Sequence, residues 1–119
     1  MAMIAAMPDE LLDLVAGKFQ MLADTTRLAI LRSLMGGEKS VGQVVTETGR
    51  GQANVSKHLK LLAESGLVGR RKEGLQVFYR LQDPLVEKLC ELVCSTIRED
   101  MERSISRRSE LLRKLGPSR

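Results

Sequence analysis

QANVSKHLKLLAESGLVGRRKEGLQVFYRL, residues 52–81, is the stretch that decides the fold. In its first part the apolar residues Val55, Leu59 and Leu62 recur at i, i+4 and i+7, which places them on one face of a helical wheel. The polar and basic residues between them fall mostly on the other face. This pattern predicts an amphipathic helix over Gln52–Glu64 with its apolar face turned to the core.

The second part of the same stretch has the period of a strand. After Gly66 the helical spacing ends, and in residues 76–81 the side chains of Val77, Tyr79 and Leu81 alternate with those of Gln76, Phe78 and Arg80. Residues 67–72 precede them, and the Glu-Gly pair at 73–74 is a turn signal between the two segments. The sequence therefore predicts a β-hairpin whose first strand and tip are basic.

Two shorter helices are predicted directly upstream. Asp24 is a suitable N-cap for a helix that ends at the glycines 36–37, and Ser40 is a suitable N-cap for a helix that ends at Gly49. This last helix and the helix at 52–64 are joined by a few residues that include glycine, which is typical of a helix-turn-helix. The order of elements predicts a mainly α fold with a small β-hairpin.

One further helix is predicted on each side of this core. Pro8 begins the first, because proline fits the first helical turn. Asp83 and Pro84 begin the last, whose apolar residues recur until Pro117. A helix of about 30 residues is about 45 Å long at 1.5 Å per residue, which exceeds the rest of the fold. Much of its apolar face needs a partner chain, so a homodimer is expected.

The composition is that of a small globular protein with a local excess of positive charge. The chain has 119 residues, of which 43% are hydrophobic but only 3% aromatic, so its core is aliphatic, as in packed helices. Its formal net charge is +4, and residues 50–82 carry seven basic against two acidic residues, which favours a nucleic-acid partner. No apolar run approaches the roughly 20 residues of a membrane span. Two cysteines make no secreted disulfide framework, and a cytoplasmic protein is expected.

The outer face of the helix at 52–64 carries the side chains that a major groove accepts. Amides pair with adenine edges, and lysine reaches guanine or phosphate. A solvated amphipathic helix explains that face alone, but it does not explain a basic hairpin in the position of a wing. His58 is either a contact of this kind or a structural hydrogen-bonding residue. The predicted DNA contacts are Gln52, Asn54, Ser56, Lys57, His58, Lys60, Arg70, Arg71 and Lys72.

Several of these segments resemble the ArsR/SmtB family of winged helix-turn-helix transcriptional regulators. The segment DTTRLAIL, residues 24–31, is similar to that family's D-x-T-R-L-x-I-L opening. The segment QANVSKHLKLL, followed by GLV, is similar to its recognition-helix signature, and RRKEG at 70–74 with Phe78 and Tyr79 is similar to its wing. The resemblance covers nearly the whole chain. It implies a repressor that binds an operator and is released by an inducer.

The resemblance also implies a domain organisation and a set of partners. A single winged helix-turn-helix domain is expected over 1–119, with a DNA-binding core at 25–82 and dimerisation helices at 1–24 and 83–115. The expected partners are a double-stranded DNA operator with an inverted repeat and a second copy of the chain, with no membrane.

The inducer sites most common in that family are missing from this sequence. Many members bind metal through a Cys-x-Cys motif in the first helix of the helix-turn-helix, and residues 38–44 contain no cysteine. Others use Asp and His residues on the last helix, where Asp83 is followed by no histidine; His58 is the only one in the chain. Neither a metal site nor a cofactor is therefore expected.

Cys90 and Cys94 are the remaining soft ligands. They are four residues apart and share a helix face, with Cβ atoms about 5–6 Å apart, which is too far for a disulfide within one helix. One interpretation is that both thiols are small buried hydrophobes with a structural role. The other is that they bind a metalloid or react with a thiol-modifying inducer, as thiols on this helix do in relatives.

Functions of two other classes fit the sequence less well than DNA binding does. A small thiol oxidoreductase would need a Cys-x-x-Cys motif or an acid–base pair beside a cysteine, and the sequence offers neither, so no enzyme is expected. A winged helix used only for protein contacts would not need the charge concentrated at 50–82. The steep salt dependence that phosphate contacts produce would separate a DNA-binding protein from such a module.

Overall fold

The computed structural model describes residues 2–117. The helices and strands are, in chain order, α1 (Ala2–Ala5), α2 (Asp9–Leu22), α3 (Thr25–Leu34), β1 (Lys39–Ser40), α4 (Val41–Thr48), α5 (Gln52–Glu64), β2 (Val68–Glu73), β3 (Gln76–Leu81) and α6 (Leu85–Leu115). The chain divides after Pro84 into two compact units, of which the second contains α6 alone. Predictions that include residues 1, 118 and 119 lie outside the described residues there.

Helices α3 and α4 begin at the capping residues that the sequence indicates, whereas the short helix α1 was not predicted. The Asp24 carboxylate accepts a hydrogen bond from the Arg27 backbone N–H at 3.0 Å and so caps α3. Ser40 caps α4 in a reciprocal capping box, in which the Gln43 side chain also accepts from the Ser40 backbone N–H at 2.8 Å. Gly49 ends α4 in the left-handed region at φ +67, which a residue without Cβ adopts at little cost. The predicted caps are confirmed.

The core of the first unit is aliphatic, as predicted. Helices α3, α4 and α5 contact one another and pack their apolar faces together. Burial of each valine, leucine or isoleucine side chain contributes about 1.5–3 kcal/mol relative to leaving it exposed. The core residues of these three helices are Ala29, Ile30, Leu31, Leu34, Val44, Val55, Leu59 and Leu62. The face of α5 opposite to Val55, Leu59 and Leu62 is thereby left to solvent.

The sheet has three antiparallel strands in the order β1-β3-β2. Strands β2 and β3 form the predicted hairpin, and Tyr79 on β3 is buried. The two residues of β1, Lys39 and Ser40, pair with Tyr79 and Phe78. The sequence did not predict β1, because a strand of two residues has no measurable period and its partner lies some 40 positions away.

Two details of the hairpin differ from the sequence prediction. Strand β2 begins at Val68, one residue later than predicted, since the Leu67 carbonyl instead accepts from the backbone N–H of Gln82 at 3.1 Å. The turn consists of Gly74 and Leu75, because Glu73 still pairs with Gln76 in the ladder. The order of three helices and a hairpin confirms the predicted winged helix-turn-helix fold.

The second unit is a single helix of 31 residues, close to the predicted length. Val86 near its start is buried, whereas the large apolar side chains from Leu92 to Leu115 are all exposed. In the part of the chain that the structure describes, no helix is long and apolar enough to cross a membrane.

Candidate nucleic-acid interface

The solvent face of α5 presents most of the predicted contact residues. Gln52, Asn54, Lys57 and Lys60 are exposed, and Ser56 is half-buried. Neither lysine side chain has an ion pair or a hydrogen bond to another described residue. The helix therefore offers amide and ammonium groups outward, while its apolar face anchors it in the core.

The N-terminus of α5 differs from those of α3 and α4. Its N-cap is Gly51, which has no side chain to accept from the first N–H groups of the helix. Arg50 precedes it, and its guanidinium donates to the Thr48 carbonyl at 3.2 Å. The first backbone N–H groups of α5 therefore have no side-chain partner, and together with the positive end of the helix dipole they favour an anion at this end of the helix.

His58 is held within the protein fold. Its Nδ1 accepts a hydrogen bond from Arg27 Nε at 3.1 Å, and Arg27 also donates to the Gln20 carbonyl at 3.2 Å. His58 is half-buried and links α5 to the beginning of α3 and the end of α2. This geometry matches the structural alternative for His58; a DNA contact through its other nitrogen stays a prediction.

The three basic residues of β2 lie on two different faces of the hairpin. Directly paired residues share a face, and the face changes at each step along a strand. Arg70 pairs with the buried Tyr79, and Lys72 pairs with Val77, so both lie on the face that continues from the core. Their exposed side chains have no ion pair or hydrogen bond to another described residue.

Arg71 lies on the opposite face, and its guanidinium is bonded to two carboxylates. Its Nη2 and Nε donate to the two carboxylate oxygens of Glu38 at 2.7 and 3.3 Å, and its Nη1 donates to Glu73 at 2.5 Å. The guanidinium also lies over the Phe78 ring, 4.8 Å from its centroid. Its hydrogen bond to Glu38 lowers the pKa of that carboxyl, and the two carboxylates raise the pKa of Arg71.

A second ion-pair cluster, which the sequence did not predict, joins α3, β1 and α4. Glu47 accepts hydrogen bonds from Lys39 Nζ at 2.7 Å and from the Ser33 hydroxyl. The bond from Lys39, followed by that from Ser33, lowers the pKa of Glu47. Lys39 also donates to the Ser33 carbonyl, so this cation is used in the fold. No local spacing joins positions 33, 39 and 47, and the sequence carries no signal for the cluster.

Cys90 and Cys94 lie on α6, as predicted, but in different environments. Cys90 is half-buried and Cys94 is exposed, and both are free thiols. Burial, with a smaller effect of Cys94, raises the pKa of Cys90, which lowers the fraction of thiolate at neutral pH. Within residues 2–117 no group of three or more His, Cys, Asp or Glu side chains is arranged to hold a metal ion.

The chain matches the family model described as "Bacterial regulatory protein, arsR family" over residues 24–69. It is 40% identical over 83 residues to the HTH-type transcriptional regulator KmtR of Mycobacterium tuberculosis, a match that covers 70% of this chain and 64% of KmtR. It is 37% identical over 86 residues to the arsenical resistance operon repressor of Escherichia coli, covering 71% of this chain and 74% of that repressor. The chain thus spans just under two thirds of KmtR.

Among solved structures, the chain resembles a homodimeric winged helix-turn-helix DNA-binding domain from Mycobacterium bovis, solved by NMR. The TM-score is 0.67 at 37% sequence identity, and the match covers 76% of this chain and 84% of that domain. The sequence matches and the structural match therefore agree: the chain belongs to the arsR family of bacterial regulatory proteins.

Proposed function

We propose that this protein is a homodimeric transcriptional repressor that binds a double-stranded DNA operator with an inverted repeat. The observation that carries the proposal is the set of unpaired cations on α5 and on the core-side face of the wing: Lys57, Lys60, Arg70 and Lys72. In the same fold, Lys39 and Arg71 are held by carboxylates. Cations without an internal partner are available to phosphates.

The geometry supports a division of roles between helix and wing. Helix α5 is anchored by its buried face and would enter the major groove, where Gln52 and Asn54 can reach base edges. Lys57 and Lys60 would contact guanine or phosphate, and the wing would lie along the backbone. Repression follows the names of relatives such as the arsenical resistance operon repressor. A bacterial regulator of this kind acts on the chromosome, so the proposal includes a cytoplasmic location. The family description is of regulatory proteins, which favours a protein without enzymatic activity.

The homodimer is supported by apolar surface on both outer helices. Leu11, Leu12 and Phe19 on α2 are 46, 43 and 56% exposed, and Leu92 on α6 is 67% exposed. Monomeric proteins rarely expose apolar stripes of this extent. A second copy would cover them, as the homodimeric state of the Mycobacterium bovis domain suggests. A symmetric dimer would place two α5 helices about 34–36 Å apart, one DNA turn. The assignment of 25–82 to DNA binding and of 1–24 and 83–115 to dimerisation stays a prediction.

A salt titration tests the DNA-binding proposal. The probe is a duplex that carries the region upstream of the protein's own gene, with a scrambled duplex of the same length as competitor. We expect tight binding to the first duplex and a steep fall of affinity with salt. Lys57→Gln and Arg70→Gln should each lower the slope of log K against log salt by about 0.9, the loss of one phosphate contact.

The matched control is Lys88→Gln, which removes one exposed charge from α6, outside the proposed interface. It should leave the slope unchanged. A wild-type protein whose duplex binding has almost no salt dependence would contradict the proposal and favour the alternative, a winged helix that contacts only other proteins.

The cysteines carry a second proposal, about the inducer. A dimer would place four thiols, two Cys90 and two Cys94, on the α6 helices, and soft metalloids prefer thiolate ligands. Binding or modification there would rotate the subunits and change the spacing of the α5 helices. A coupling of about 1–3 kcal/mol would weaken operator binding about 5- to 150-fold. The alternative is that both thiols have a structural role in packing.

Release of the operator duplex tests the role of the thiols. Arsenite, antimonite, Zn(II), polysulfide and peroxide are added separately to the protein–duplex complex, and anisotropy of the labelled duplex is followed. We expect one of the thiol-directed compounds to release wild-type protein but not the Cys90→Ser/Cys94→Ser double variant. A double variant that binds the duplex and is released like the wild type would assign both cysteines to packing.

A further inference from the structure

The wing is the hairpin of β2 and β3, residues 68–81. It carries Arg70, Arg71 and Lys72 in succession, but the fold gives these three side chains different environments. Arg70 and Lys72 lie on the core-side face with exposed, unpaired cations. Arg71 lies on the other face between the carboxylates of Glu38 and Glu73. One cation and two anions give that triad a net charge of −1, and Arg80 on the same face, close enough to help lower the pKa of Glu38, brings the local charge to zero.

The contacts of Arg71 connect the two edges of the sheet, where β1 and β2 are separated by β3 and share no backbone hydrogen bonds. Glu38 immediately precedes β1, at the opposite edge of the sheet from β2. The bidentate pair therefore spans the sheet across β3, and the guanidinium covers the Phe78 ring on the way. Planar fork-on-carboxylate geometry and stacking on an aromatic face are both specific to arginine among the cationic side chains.

The outer part of the hairpin, residues 70–76, has little buried surface to stabilise it. Val68 and Gly69 at the beginning of β2 are buried, whereas every residue from Arg70 to Gln76 is exposed. A two-stranded ribbon without a packed face is marginal in water. Ordering it before DNA arrives avoids an entropic cost at binding.

On the basis of the proposed DNA-binding function, we propose that Arg71 is a positioning residue that braces the wing through Glu38, Glu73 and Phe78. The phosphate contacts of the wing then belong to Arg70 and Lys72. This assignment changes the role of Arg71, which the sequence alone grouped with its neighbours as a DNA contact.

The two roles for Arg71 predict opposite signs for Glu38→Gln. If Arg71 contacted phosphate, removal of a competing carboxylate and of one negative charge would strengthen DNA binding. If Arg71 is a brace, the same change loosens the wing, and we expect binding about three- to tenfold weaker, the size of a lost networked ion pair with stacking. Tighter binding by the variant would overturn the brace.

Salt dependence separates a brace from a contact at Arg71 itself. Arg71→Gln should weaken binding at every salt concentration and leave the slope of log K against log salt unchanged. Arg70→Gln, the matched neighbour, should lower that slope by about 0.9. Arg71→Lys keeps the charge but loses the fork and much of the stacking, and we expect it to resemble Arg71→Gln. A lower slope for Arg71→Gln, restored by Arg71→Lys, would make Arg71 a phosphate contact.

Amide hydrogen exchange in the free protein tests the brace without DNA. Wing amides at 70–79 should exchange faster in Glu38→Gln and in Arg71→Gln, and the double variant should be no faster than either, because both changes break one connection. Exchange equal to the wild type in both variants would refute the brace even where DNA binding stands. Absence of salt-dependent duplex binding by the wild type would instead refute the proposed function, whatever the exchange shows.

Discussion

At the scale of single residues, the fold determines which charges remain available. Arg70 and Arg71 are adjacent and chemically identical, yet one is unpaired and the other is held by two carboxylates. Lys39 and Lys60 differ in the same way, because Lys39 is bonded to Glu47. The composition counts all four as positive charge, but only the unpaired ones are free to exchange counterions for phosphate.

The N-cap of α4 allows a test of stability at one residue. Ser40→Ala removes the acceptor for the Gln43 backbone N–H and breaks the capping box. We expect the free energy of unfolding to fall by about 1 kcal/mol, the usual cost of losing such a cap. Urea denaturation at fixed protein concentration measures it, since the stability of a dimer depends on concentration.

Thr46→Ala is the control for the cap, because it removes an exposed hydroxyl from the same helix that bonds only to the Gly42 carbonyl. It should change the free energy of unfolding by less than about 0.5 kcal/mol. An equal effect of the two substitutions would mean that hydroxyl loss, and not capping, explains the change.

The cap of α3 adds a pH dependence. The backbone hydrogen bond from Arg27 is the largest cause that lowers the pKa of Asp24. A lowered folded-state pKa stabilises the protein above the unfolded-state value, about 3.9, and this contribution is lost as the pH falls through the folded-state pKa. We expect Asp24→Asn, which still caps but does not titrate, to reduce the fall in thermal midpoint between about pH 5 and pH 3.

Some acid sensitivity should remain in Asp24→Asn, because Glu38 and Glu47 also have lowered pKa values. Thermal unfolding followed by circular dichroism at several pH values measures the difference. A midpoint that falls as steeply with acid in the variant as in the wild type would show that the Asp24 carboxylate contributes nothing to the pH dependence.

At the scale of elements, the sequence predicted what depends on local signals. The bounds of α5, the caps of α3 and α4 and the pairing of β2 with β3 follow from spacing, side-chain chemistry and turn residues near one another in the chain. Strand β1 and the Glu38–Arg71 pair could not be predicted, because each joins positions more than 30 residues apart. The exposure of the polar and basic residues on α5 was predicted from their spacing, whereas the distinction between Arg70 and Arg71 required the strand register.

The turn of the wing depends on one backbone conformation. Gly74 has φ +61, and Leu75 beside it does not have a positive φ, a combination typical of a type II′ hairpin turn. Gly74→Ala places a Cβ at a positive φ that L side chains rarely adopt, at a cost of about 1–3 kcal/mol. We expect faster amide exchange confined to β2 and β3, and weaker DNA binding, with unchanged helical circular dichroism.

Leu75→Ala provides the control for the turn, since Leu75 is fully exposed and its φ suits any residue. It should leave wing exchange as in the wild type. Fast exchange spread over α3 and α5 in Gly74→Ala would contradict a local effect, because it would mean that the turn supports the whole first unit.

At the scale of the whole molecule, the chain exposes more apolar surface than a small monomer usually does. Ile97, Met101 and Ile105 are 49, 63 and 64% exposed and recur every four residues along α6. Phe19 on α2 is 56% exposed. A chain of 119 residues with 3% aromatic content buries only a small apolar core on its own. Coverage by a second copy would supply the missing burial and place two α5 helices on one duplex.

Ile97→Glu tests this link between assembly and function. A charge in the apolar stripe of α6 would have to be buried unpaired in a dimer, which costs far more than a contact gains. We expect wild-type protein to be a dimer at micromolar concentration by light scattering, and the variant to be a monomer with unchanged helical circular dichroism. Because a monomer engages one half-site only, its operator affinity should fall by about 10² or more.

Ser106→Glu is the matched control, since it adds the same charge to α6 nine residues away, about half a helical turn around from Ile97. Serine at this position is exposed, and the variant should remain dimeric with wild-type affinity. If Ile97→Glu also stays dimeric and binds the operator as tightly as the wild type, α6 does not form the dimer interface at Ile97. If both variants lose the dimer, charge on α6 in general, rather than the apolar stripe, controls assembly.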